Sequence, residues 1–132
     1  MFHSLAFDTR RKILLLTFLD VITEASYTAA LAAARQFIER NDVKGMISDS
    51  TKAERFDLSG EFIRQSVLST QPVLPGRPLV IVAPANTPYG LARLLQAHRN
   101  SENIFVVRTM GEAYALLQVD NPHFSAVIAA PE

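Results

Sequence analysis

The chain has 132 residues, 48% of them hydrophobic, 20% charged and 8% aromatic, which suits one globular domain able to bury roughly two thirds of its unfolded surface. Lys plus Arg and Asp plus Glu both number 13, so no net field draws the molecule to nucleic acid or acidic lipid. The absence of cysteine excludes disulfides, thiolate metal sites and thiol nucleophiles, and it fits a cytoplasmic protein.

Phe2 to Phe7 and Ile13 to Asp20 read as strands joined by the polar turn Asp8-Thr9-Arg10-Arg11-Lys12, so the basic triplet is taken as a solvated turn. The longest apolar run, Ile13 to Leu19 around Thr17, is far shorter than the ~18 residues of a membrane span. It also lacks the small-residue cleavage site of a secretory segment. From Ser26 to Asn41, apolar residues at Tyr27, Leu31, Ala34, Phe37 and Ile38 recur at helical spacing, and Asn41 suits the end because asparagine tolerates the left-handed conformation. Val43 to Asp49 is a short strand, followed by a polar connection from Ser50 to Phe56. Leu58, Phe62, Ile63 and Val67 mark a helix beginning near Ser59.

Leu79 to Ala83 is apolar at every position, as expected of a strand covered on both faces, and it is placed at the sheet centre. Thr87-Pro88 then supplies an N-cap and a proline at the first helical position of a helix reaching Arg99. Ile104 to Val107 is the last core strand, and Thr109 to Glu112 has capping-box spacing for a short final helix. The order ββαβαβαβα predicts one α/β domain over residues 1–132, with a mostly parallel sheet, an antiparallel N-terminal edge strand and flanking helices. The tail Phe124 to Ala130 is more apolar than a free terminus requires and is expected to cover its own domain or a homodimer contact.

Ligands of such sheets lie beyond the carboxyl ends of the parallel strands, which directs attention to Asp49 to Ser59, Pro84 to Tyr89, and Arg108-Thr109. Asp49 and Asp57 are the acidic candidates there, and an enzyme reading rests on them alone. A phospho-receiver would need an acidic pair and a lysine where the chain has only Asp20 and Arg108. His3, His98 and His123 share no ligand spacing, so no metal is expected. No nucleophile elbow, dinucleotide turn or Walker loop occurs, so no cofactor and no catalysis are expected. Asn86, Thr87 and Tyr89 form a candidate anion or ligand loop at a helix N-terminus, the plainer reading being a capped helix.

Two stretches carry a family resemblance: Asp57-Leu58-Ser59-Gly60, and Arg77-Pro78-Leu79-Val80-Ile81-Val82-Ala83-Pro84 running into Tyr89-Gly90-Leu91-Ala92-Arg93. With the closing segment at 102–113, they resemble the SpoIIAA-like, or STAS-like, family across most of the chain. The resemblance implies a non-enzymatic regulatory or protein-interaction module like the anti-sigma-factor antagonists. In those proteins a Ser or Thr before Gly at the start of the second helix is phosphorylated to break partner binding. Ser59 stands at that position, with Asp57 and Gly60 beside it as the implied partner surface. Leu58 replaces a second small hydroxyl residue, and Glu61 replaces an aliphatic one and would repel a phosphate on Ser59. The alternative is a small-ligand or lipid-binding carrier, since SpoIIAA-like sheets also resemble lipid-transfer domains.

Overall fold

Asp8 closes the first turn. In the computed structural model, which describes residues 2–99 and 103–127, its carboxylate is 1% exposed. One oxygen accepts the N–H groups of Arg10 and Arg11 at 3.0 and 2.9 Å, and the other accepts the N–H of His123 at 3.0 Å. This clamp sets β1 (His3–Asp8) antiparallel to β2 (Ile13–Phe18), from His3 opposite Phe18 to Asp8 opposite Ile13. Asp20, at φ +60°, then turns the chain, so the single strand expected over 13–20 ends at Phe18. Its last residue opens a separate strand β3 (Asp20–Ile22).

α1 (Glu24–Arg40) begins at Thr23, whose side chain accepts the Ser26 N–H while Ser26 reciprocates to the Thr23 backbone. Asn41 ends the helix in extended rather than left-handed backbone, and its side-chain amide satisfies the Phe37 carbonyl at 2.9 Å instead. β4 (Gly45–Asp49) follows, and the expected polar connection contains a further strand, β5 (Ala53–Phe56), paired in parallel with β3. Its burial is partial, which explains why hydrophobic patterning missed it.

α2 (Gly60–Ser69), β6 (Leu79–Val82), α3 (Asn86–Arg99), β7 (Ile104–Val107), α4 (Met110–Leu117) and β8 (Ser125–Ala126) complete the described chain. The main sheet runs β7-β6-β4-β2-β1-β8. β2, β4, β6 and β7 are mutually parallel, and β8 is antiparallel to β1. The fold is thus a single mixed α/β domain. Two placements change. The sheet centre falls between β4 and β2 rather than on β6, because apolar side chains on both faces report covering layers and not position in the order. β1 is antiparallel as expected, but β8 pairs with its Ala6 and Phe7, so the sheet edge there is partly formed by the tail.

Alternation along the strands divides the core. Leu14, Leu16, Phe18 and Met46 meet Ala30 and Ala34 of α1, and on the same face Ile81 and Ile104 meet Ala92 of α3. Ile13, Ile47, Val80 and Val82 face Ala113 of α4, with Tyr114, Leu117 and Phe124 against them. Phe124 therefore covers its own domain, while residues 128–130 of the expected tail contact lie outside the described residues.

Candidate functional site

Ser59 is an exposed residue at the N-cap of α2, its hydroxyl accepting the Phe62 N–H at 3.0 Å. Asp57, two residues earlier, is also exposed. It is fixed by its backbone N–H to the Ile22 carbonyl at 2.8 Å and by its carboxylate to Arg55 Nε at 3.1 Å. Gly60 lies close against α3: a Cβ there would stand 3.0 Å from Leu94 Cδ2. Glu61 is not a free charge beside Ser59. Arg64 donates to both its oxygens at 2.9 and 2.6 Å and Gln65 adds a third bond. These side-chain hydrogen bonds, Arg64 first, hold the Glu61 carboxyl down at about 2. The repulsion expected against a phosphate on Ser59 is therefore offset by a guanidinium one helical turn away.

The two acidic candidates do not form a pair. Asp49 is 4% exposed and accepts the Thr51 N–H at 2.8 Å. It lies toward α4, where its charge adds to burial in raising the Tyr114 hydroxyl. Asp57 lies after β5 at the start of α2, with Arg55 as its partner. Among the described residues there is no group of three His, Cys, Asp or Glu side chains able to hold a metal ion.

The loop after β6 is met by Arg108, from the segment that the sequence groups with it at the carboxyl ends of the parallel strands. Arg108 donates to the Pro84 carbonyl at 3.0 Å and to Asn86 Oδ1 at 3.2 Å, and its guanidinium lies 3.7 Å above the Tyr89 ring. Asn86 and Thr87 are exposed and Tyr89 is half-buried. α3 begins at Asn86 rather than after Thr87, so Pro88 is its third residue, still within the first turn where a missing N–H leaves no intrahelical bond unmade.

The feature that sequence reading did not anticipate is a cavity of about 200 Å³ between the sheet face and α1, α2 and α3, walled by Phe18, Leu31, Met46, Ile63, Ile81 and Leu95 among others. Polar groups also reach it: Ser48 and Ser50 at the end of β4, Ser66 of α2, Tyr27 of α1 and Arg99 of α3. α2 leans on α3 rather than flat on the sheet, and the space arises beneath it. The only sequence signal for it was the row of small residues Ser48, Ser50, Ser66 and Ala92 on faces that otherwise read as core.

No family model matches the chain, and no curated protein matches it. Among solved structures, the anti-sigma factor antagonist SpoIIAA in its unphosphorylated form superposes with a TM-score of 0.59 at 13% identity. The match covers 90% of this chain and 99% of that one. The resemblance read from the sequence is thus met by the three-dimensional fold: the chain has the STAS-like architecture.

Proposed function

We propose that this SpoIIAA-like domain is a non-enzymatic, cytoplasmic regulatory module that binds a partner protein through the start of α2. The observation that carries the reading is Ser59, exposed at a helix N-terminus on a fold shared with an anti-sigma factor antagonist. A phosphate on Ser59 adds nearly two negative charges beside the free N–H groups of α2, which favours the helix while changing the charge of the surface presented by Asp57, Ser59 and Gly60. The Glu61–Arg64 pair leaves that addition tolerable.

Phosphoproteomic mass spectrometry of the protein from its native cells, with Ser59→Ala as control, tests the switch. A phosphate on Ser59 supports it. An unmodified Ser59 across growth conditions leaves the residue as a helix cap only. Homodimerisation through the Phe124 to Ala130 tail belongs to the same reading, because that segment is more apolar than a free terminus requires, and light scattering of the intact chain tests it by mass.

A second reading, a small-ligand carrier, is favoured by the cavity beneath α2. Native mass spectrometry of protein taken directly from cell extract tests it, since a carrier retains a ligand mass.

A further inference from the structure

An apolar cavity of roughly 150 Å³ accommodates a benzene ring, so one of about 200 Å³ has room for a ring with a short chain, or for a short acyl chain. Its wall is mostly apolar along the sheet face, apart from Ser48 and Ser50 at the end of β4, and it carries charged and polar groups toward the C-terminal half of α2. There Arg99 donates through Nη1 to the carbonyls of Val67 and Thr70 and through Nη2 to the Thr70 hydroxyl and the Gln71 carbonyl, at 2.9–3.3 Å. Arg35 donates to the same Gln71 carbonyl at 2.9 Å. Two guanidinium groups thus converge on one stretch of backbone, and neither has a carboxylate within ion-pairing distance among the described residues.

A guanidinium carries five N–H donors, and the bonds of Arg99 use Nη1 and Nη2, leaving its Nε–H without a partner among the described residues. Burial and then the neighbouring charge of Arg35 lower the Arg99 pKa, the expected response of a cation desolvated beside another cation. Tyr27 stands on the same wall. Its ring is stacked on Phe18 at 5.9 Å, and its hydroxyl makes no hydrogen bond to the described residues. Burial pushes that hydroxyl up to about 12 against the opposing pull of Arg99 and Arg35, so it remains a donor at any physiological pH. A second hollow, between α1 and α2, shares Tyr27, Leu31 and Ser66 with the cavity and is bounded by Arg35. The charges of Arg99 and Arg35 therefore lie on the side of the apolar space next to Tyr27, whereas Arg77, which also lines the cavity, is paired with Asp42 at 3.3 Å.

We propose that the cavity binds a small amphiphile bearing one carboxylate, with its apolar body between the sheet face and the helices and its anionic end at the Tyr27–Arg99 wall. This rests on the carrier reading and specifies its ligand class. An apolar body gains by leaving water, and a carboxylate there meets a guanidinium and a hydroxyl donor that, among the described residues, have no carboxylate partner, the arrangement in which a charge-assisted hydrogen bond is strongest.

The test is calorimetric titration of the full chain with matched pairs, octanoate against 1-octanol and 3-phenylpropionate against 3-phenylpropanol. The expected result is that each acid binds at least tenfold more tightly than its alcohol. Arg99→Gln should abolish that preference, and Tyr27→Phe, which keeps the ring packing, should weaken acid binding several-fold with little effect on the alcohol. Ser66→Leu, which fills the space, should weaken both members of a pair. Thermal midpoints identify any variant that fails to fold, and Tyr27→Phe keeps the test decisive if Arg99→Gln does so. Equal binding of acid and alcohol, both lost in Ser66→Leu, would overturn the anionic end while leaving the carrier reading in place. Binding of neither class to the wild type would overturn the carrier reading itself, and the proposal with it.

Discussion

Asp8 shows how one buried side chain ties together parts of the chain far apart in sequence. Burial alone would raise its pKa, but the N–H groups of Arg11, His123 and Arg10, with the Arg11 guanidinium at 3.6 Å, hold it below the usual value. A carboxylate whose native pKa is depressed stabilises the fold fully above its unfolded value of about 4 and loses that contribution as pH falls through the native value. Asp8→Asn should therefore cost about 1.5–3 kcal/mol near pH 7, the range for hydrogen bonds to a charged group. The gap between wild type and variant in urea unfolding should narrow below pH 4. A gap that is the same at pH 7 and pH 3 would show that the charge is not what matters. The sequence displayed Asp8 as one polar residue of a turn, and nothing in its neighbours pointed to His123.

At α2, the structural role of the helix start and the proposed signalling role make opposite predictions. Ser59 caps the helix, and loss of such a cap costs about 1 kcal/mol, whereas aspartate caps as well as serine. Ser59→Ala should lower the thermal midpoint by a few degrees, while Ser59→Asp should leave it unchanged. If α2 is the partner surface, a partner identified with the wild-type chain is retained by Ser59→Ala and lost by Ser59→Asp, opposite to the order of their stabilities. Equal retention by both variants would leave the cap as the sole role. The N-cap was legible from Ser59 and the apolar spacing of Leu58, Phe62, Ile63 and Val67, because capping is local chemistry. β5 was not, since its pairing with β3 is made across more than thirty residues of intervening chain.

The domain is closed by its own C-terminal segment. His123 reaches Asp8, Phe124 joins the core layer under α4, and Ser125 and Ala126 pair with β1. Truncation after Asn121 should therefore lower the thermal midpoint of the domain itself, through a stranded carboxylate, a lost aromatic contact and a bared strand edge. A truncated chain with unchanged stability but reduced mass in solution would assign the tail to a dimer contact instead. In the apolar space beneath α2, packing of α2 on α3 around Gly60 lifts the helix from the sheet. Because Gly60 has no side chain, the approach to Leu94 is close enough that any Cβ would press on it.

Periodicity and local chemistry carried the order of the main elements, the antiparallel start, the caps at Ser59 and Thr109 and the STAS-like resemblance, because each depends on residues a few positions apart. Strand order, the covering of β1 by β8, and the separation of Asp49 from Asp57 onto different surroundings depend on contacts between distant segments. The cavity and its cationic end belong to this second class. A void is defined by where three helices come to rest against a sheet, and no single stretch of residues encodes that distance.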